Sequence, residues 1–201
     1  MLPVQLEELT MKKITLWAWI VLPTLSFTSL CGAEGTALKV SDAKVQIEGE
    51  STLHKFQADA STVTVHATLK DGAQLAQVKS GALKSLELVV LVDSLQSDES
   101  KRDKTMHGDL GSDKTPNITF KLKHYAVKGA TVTAQGSLNI HGVTKDVTLT
   151  GILATKGDGL SLSGSYGLKM SDYAVQPPVI MLGTIKVKDE VTVRYSFNLG
   201  K

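Results

Sequence analysis

Apolar and polar side chains alternate along most of the chain beyond residue 44. Val63, Val65, Ala67 and Leu69 alternate with Thr62, Thr64, His66 and Thr68. Leu86, Leu88, Val90 and Val92 share one parity, although Val89 and Leu91 break the polar one. Ile118, Phe120 and Leu122 alternate with Thr119, Lys121 and Lys123. The same rule holds for Val132–Ile140, for Val147–Leu153, for Leu160–Leu168 and for Val191–Leu199. Successive side chains of a strand face opposite ways, so each run predicts a strand with one buried face.

A first strand carrying Val45 and Ile47 brings the number to eight. Val127-Lys128-Gly129, His141-Gly142-Val143-Thr144-Lys145 and Lys156-Gly157-Asp158-Gly159 have the composition of hairpin turns. Short links between sequential strands favour an antiparallel meander. Eight such strands can close into a barrel, which removes the exposed edges. The predicted fold is therefore all-β, an eight-stranded antiparallel barrel.

Two stretches break the period. Residues 98–111 lack alternation, and Met106 and Leu110 stand four apart, as one face of a short helix requires. Asp98 and Glu99 favour its N-terminal dipole. The link from Met170 to Asp189 is long for a hairpin, yet Tyr173, Val175, Val179, Ile180, Met181 and Leu182 make it apolar, and Pro177-Pro178 stiffens it. It reads either as a lid over a ligand or as a plug tucked over the barrel end.

Composition adds export and subtracts several functions. Of 201 residues, 22 are basic and 20 acidic, too balanced for a nucleic-acid footprint. Met11-Lys12-Lys13, the apolar run from Ile14 to Leu30 and the small residues around Cys31-Gly32-Ala33 describe a secretory signal peptide. Glu7 and Glu8 sit where positive charge belongs, which places the true start at Met11. Pro23 and nearby Thr and Ser residues disfavour a membrane anchor, which wants about 20 apolar residues. Leu30 before Cys31 disfavours lipid attachment. Residues 1–33 thus read as a leader and 34–201 as one barrel domain, which holds no cysteine and no tryptophan once the leader is removed.

The barrel interior is either filled by side chains or able to hold one small ligand. Gly136, Gly151 and Gly164 fall on the apolar parity of three consecutive strands. They either let the strands bend or leave a groove for something apolar. No chemistry competes with that reading. His54, His66, His107, His124 and His141 show no close metal-ligand spacing. Gly164-Ser165-Tyr166-Gly167 lacks the nucleophile-elbow pattern, and no phosphate loop is present. The sequence predicts neither an enzyme nor a cofactor.

Four ordered motifs resemble one family. Ser51-Thr52-Leu53-His54-Lys55-Phe56 resembles the "STLHxF" segment of the YceI-like family of exported, polyisoprenoid-binding proteins. Met106-His107 followed by Thr115-Pro116-Asn117-Ile118-Thr119-Phe120 is similar to its helix and "YPxITF", with Thr115 for the usual Tyr. Gly136–Lys145 is similar to "GxLxIHGVTK", and Leu168–Tyr173, Pro177-Pro178 and Lys188–Val191 to its closing section.

The resemblance implies a lipocalin-like barrel, a periplasmic location and a long isoprenoid or fatty-acid-like chain in an apolar cavity. It also makes a homodimer plausible. Under this reading Val90, Phe120, Leu122, Leu138, Ile140, Leu162, Tyr166 and Phe197 are candidates for the ligand-binding wall. Phe56, Tyr173 and Met181 are candidates for the mouth, and Gly164 for the open groove. The competing reading is a non-catalytic interaction protein with a filled barrel, acting through its loops on a membrane or electron-transfer partner.

Overall fold

The computed structural model describes residues 35–180 and 184–200. The leader, with Met11 and Cys31, lies outside the described residues, as does Met181. In chain order the elements are β1 (Lys39–Glu50), β2 (Lys55–Ala60), β3 (Val63–Leu69), β4 (Leu83–Leu91), β5 (Leu95–Gln96) and α1 (Ser100–Asp109). Then come β6 (Asn117–Lys128), β7 (Thr131–Ile140), β8 (Val143–Lys156), β9 (Gly159–Lys169), β10 (Val179–Ile180), β11 (Ile185–Lys186) and β12 (Glu190–Gly200).

Ten of these strands form one antiparallel sheet in the order β3-β4-β6-β7-β8-β9-β12-β1-β2-β5, while β10 and β11 pair only with each other. The eight strands expected from periodicity are all present. The two additional ones, β2 and β5, escaped it for physical reasons. The inward positions of β2 after Phe56 are only Ala58 and Ala60, and β5 is too short to show a period.

The sheet closes on itself. Just ahead of β1, the Leu38 N–H donates to the Ala67 carbonyl and the Leu69 N–H to the Thr36 carbonyl, both at 2.8 Å. An isolated Ala37–Thr68 bridge lies between them. β1 thus meets β3 at one end of the barrel and β2 at the other.

Two irregularities reset which residues face in. A register shift between Ser41 and Lys44, with Asp42 at φ 52°, switches the buried parity from Leu38 to Val45. A second shift between Leu122 and His124 in β6 turns Tyr125 inward although it lies three residues after Leu122. The β7–β8 hairpin turns tightly through His141 and Gly142, both at positive φ, as a two-residue turn of the primed kind requires.

The end opposite α1 is sealed. A 3-10 turn over Leu75–Ser80 buries Leu75 and Val78 there. The Tyr125 hydroxyl fixes this turn, donating to the Val78 carbonyl at 2.7 Å and accepting from the Leu83 N–H at 3.0 Å. Burial pushes that phenol up from its ordinary pKa. Tyr125→Phe strands both backbone groups, so it should destabilise the fold by about 1–3 kcal/mol in urea unfolding. An unchanged midpoint would mean the seal is held by packing alone.

Candidate functional site

A cavity of about 600 Å³ runs through the barrel, from Val78, Leu83 and Leu199 at the sealed end to Phe56, Met106 and Pro178 at the other. Inward-facing positions of β1, β2, β4, β6, β7, β8, β9 and β12 form its wall, so the wall is built by the same alternation that builds the sheet. Among the predicted wall residues, β4 contributes Val90, β6 contributes Phe120 and Leu122, and β7 contributes Leu138 and Ile140. Leu162 and Tyr166 come from β9 and Phe197 from β12. Phe56 on β2 and Tyr173, in a 3-10 turn after β9, also line the cavity.

Gly164 does not, and the expected groove there is corrected by the geometry. A Cβ at Gly164 would fall 2.5 Å from the Tyr195 hydroxyl oxygen and 2.6 Å from the Thr150 carbonyl oxygen. The Tyr195 ring lies across the glycine, and its hydroxyl donates to that same Thr150 carbonyl at 3.0 Å. Gly136 is covered likewise by the Phe120 ring, whose Cζ would stand 2.5 Å from an added Cβ. Gly49 is covered by the Phe56 ring. These glycines let aromatic rings lie flat against neighbouring strands, a device that gives both curvature and filled space. Gly151 alone of the three expected glycines faces the cavity.

Residues not singled out from the sequence complete the wall. Val193 and Tyr195 on β12, Leu149 on β8 and Ala134 on β7 all line it. Their parity was visible in the alternation; nothing in a single sequence ranked them above their neighbours. Tyr125 was hidden by the β6 bulge.

The mouth is framed by α1, by the turn between β1 and β2, and by the long link before β12. α1 sends Met106 and Leu110 toward the cavity, as their spacing predicts, and adds Glu99, Lys101, Arg102 and Asp109 at the rim. Arg102 pairs with Asp98 and with Glu99, the latter at 3.2 Å, and its guanidinium stands 5.7 Å from the centre of the Phe56 ring. Asp103 accepts from both the backbone and the hydroxyl of Ser97, at 2.8 and 2.6 Å, which holds its carboxyl below the ordinary range. Burial pushes the Asp109 carboxyl up.

In its described part the long link is bonded to the barrel rather than free, with Tyr173 and Val175 buried over the barrel end. The Ser171 N–H and hydroxyl both donate to the Asp189 carboxylate, which clasps the two ends of the link together. The Thr52 N–H donates to the Lys186 carbonyl at 2.9 Å, and the Lys188 N–H to the Glu50 carbonyl at 2.8 Å. Stitched to the β1–β2 turn in this way, it supplies Val175, Pro178, Ile185 and Val187 to one side of the mouth.

The histidines are dispersed. His66 and His124 are exposed on outward faces. His107 donates from Nε2 to the Leu95 carbonyl at 2.7 Å. His141 packs its ring beside Gly111, and its Nδ1 is buried with no hydrogen-bond partner. His54 is exposed at the mouth. Among the described residues no group of three His, Cys, Asp or Glu side chains is placed to hold a metal ion.

Comparison with known proteins agrees with this architecture. The model of the YceI-like domain matches residues 32–199. The chain is 27% identical to Protein YceI of Shigella flexneri over 170 residues, covering 82% of this chain and 83% of that protein. It is 25% identical to a UPF0312 protein of Pseudomonas aeruginosa, covering 77% and 86%. Among solved structures, Burkholderia cenocepacia BcnA superposes with a TM-score of 0.64 at 17% identity, covering 78% of this chain and 95% of that one. A polyisoprenoid binding domain from Saccharophagus degradans gives 0.59 at 13% identity, covering 84% and 100%. At these identities the structures speak for the fold, a lipocalin-like barrel.

The covered glycines yield a paired test within one strand. Gly164→Ala forces a methyl into the Tyr195 ring and the Thr150 carbonyl, and should cost about 1–3 kcal/mol as overpacking. Gly167, three residues on, has nothing within 4 Å of a built Cβ, so Gly167→Ala should leave stability nearly unchanged. Thermal unfolding of the two variants measures the difference; equal melting temperatures would refute the ring-over-glycine account.

Proposed function

We propose that this chain, which belongs to the YceI-like family, is a periplasmic binding protein that carries or sequesters a long-chain isoprenoid or similar amphiphilic lipid. The observation that carries the reading is the continuous apolar cavity, about 600 Å³, within the closed sheet. That volume falls in the range of built ligand sites. Each buried methylene contributes about 0.8 kcal/mol, so a few isoprene units offset a substantial ordering cost without a charged anchor. A fatty-acid-like chain meets the same wall on similar terms, because such burial discriminates weakly between chains.

The polyisoprenoid binding domain among the structural neighbours supports an isoprenoid over other apolar cargo. The basic, apolar and small-residue succession over Met11–Ala33 supports export. The protein acts by binding rather than catalysis, in keeping with a wall of aliphatic and aromatic side chains. The cavity weighs against the filled-barrel alternative.

The test is native mass spectrometry of protein recovered from the periplasm of a host expressing the full chain, with extraction of whatever lipid it holds. A stoichiometric isoprenoid lipid is expected. Ala134, half-buried on the cavity wall midway along β7, offers a blocking position. Ala134→Trp should keep the β-sheet circular dichroism, lose about 1–3 kcal/mol of stability at most, and emerge without long-chain lipid. Equal lipid occupancy in the folded variant, or empty wild-type protein that also rejects added polyprenyl lipid, would sink the proposal.

A further inference from the structure

Among the described residues the large apolar side chains that face solvent are Leu53, Leu91, Ile152 and Val179. Single exposed aliphatic residues are ordinary on a protein surface. Leu53 and Val179 differ in degree and in placement. At 66% and 61% they are the most exposed of the four, and they share one corner of the cavity mouth. The Thr52 N–H donates to the Lys186 carbonyl at 2.9 Å, and Lys186 is the register partner of Val179. Leu53, one residue beyond Thr52, therefore stands beside the β10–β11 pair.

The turn that displays Leu53 is closed by its own hydrogen bonds. The hydroxyl of Ser51, a residue only 8% exposed, accepts from the Leu53 N–H at 3.3 Å and from the His54 N–H at 3.2 Å. The Ser51 N–H donates to the His54 carbonyl at 2.9 Å. An apolar side chain carried on such a pre-ordered turn gives up little further freedom when it is covered. The segments that carry the two tips also line the cavity just inside. Phe56 follows His54 by two residues, Pro178 directly precedes Val179, and Ile185 directly precedes Lys186. The corner is thus the outer lip of the chamber.

The size and charge of the lip select what covers it. Two aliphatic side chains offer far less than the roughly 800 Å² per partner that a stable protein interface buries. A bilayer demands no matching shape, and its hold grows with the apolar area inserted and with basic groups near anionic headgroups. Around the mouth Arg102 is paired with Asp98 and Glu99, and Lys188 with Glu50 at 3.1 Å. Lys101 at the rim and Lys186 opposite Val179 are exposed and make no ion pair among the described residues. Cations are therefore left over beside the apolar tips, while burial pushes the carboxyl of Asp109, also at the rim, up from its ordinary pKa.

We propose that this corner is a membrane-docking lip: Leu53 and Val179 enter the headgroup region of an anionic bilayer and bring the cavity mouth against the lipid. A long apolar chain resides in bilayers rather than in water, so a mouth held at the bilayer lets cargo enter without crossing solvent. This rests on the lipid-carrier reading above and adds the surface at which the carrier loads.

The experiment takes protein recovered from the periplasm of a host expressing the full chain and floats it on density gradients. One set of vesicles holds phosphatidylethanolamine with phosphatidylglycerol, the other phosphatidylcholine alone. Wild type should rise with the anionic vesicles and more weakly with phosphatidylcholine. The Leu53→Asn/Val179→Asn double variant should keep its β-sheet circular dichroism and lose about tenfold or more of its vesicle affinity, because the inserted apolar surface is gone. Ile152→Asn is the control. Ile152 is 51% exposed but pairs with Thr131, past Tyr125 toward the sealed end, so this variant should float as wild type does.

Wild type that stays at the bottom of both gradients would overturn the lip and leave the patch to a protein partner. Unchanged affinity in the double variant, an equal loss in Ile152→Asn, or equal flotation of wild type with the two kinds of vesicle would overturn it as well. Lipid extracted in parallel keeps the two readings apart. Lipid-loaded wild type that does not float overturns the lip alone. Floating protein that is empty and rejects added polyprenyl lipid overturns the carrier.

Discussion

A sheet closed on itself has one inside and one outside, and this constraint organises the rest of the molecule. Once residues 36–38 bond to the free edge of β3, every strand in the ring must commit alternate side chains to the interior. The interior is then as apolar as the inward parity of the sequence. It also extends from one end of the barrel to the other, because β1, β6, β7, β8, β9 and β12, each of ten or more residues, run along it. Sealing by Tyr125 at one end leaves α1 and the link before β12 to frame the other. The cavity is thus a consequence of closure together with the shortage of bulk on the inward face, where the domain has no tryptophan.

Alternation is a local signal, and the parts of the fold that it carries were legible. Val63–Leu69, Val132–Ile140 and Val191–Leu199 each name their inward face without reference to any other strand. Most of the cavity wall follows directly, from Val90 through Phe197. The YceI-like motifs reach the same barrel independently. What failed was whatever depends on a neighbour across the sheet. Whether Gly164 leaves a gap is decided by Tyr195 on β12, thirty-one positions away in sequence and directly opposite in register. Tyr125 points inward only because β6 gains an extra residue near Lys123, and a bulge of that kind carries no periodic mark.

The glycines show how one residue type serves two ends. Bending and space-making looked like alternatives, but a ring laid flat over a glycine does both. The strand can curve because no Cβ crowds the concave side, and the ring restores the apolar contact that the missing side chain would have made. Phe56, Phe120 and Tyr195 each sit over such a position, at Gly49, Gly136 and Gly164. Aromatic bulk is thereby held against the wall, which keeps the axis of the barrel open.

An apolar tube binds well and chooses badly. Burial energy grows with each methylene, but one methylene more or less changes it only slightly, so chain identity is poorly read along the wall. Discrimination must come from groups that cost free energy when left unmet, and such groups are few here. Tyr125 and Tyr195 are consumed in holding the barrel together, and Arg102 is held by two carboxylates at the rim. In a chamber built by the alternation of apolar residues, the wall therefore reads little of a bound chain beyond how much apolar surface it can bury.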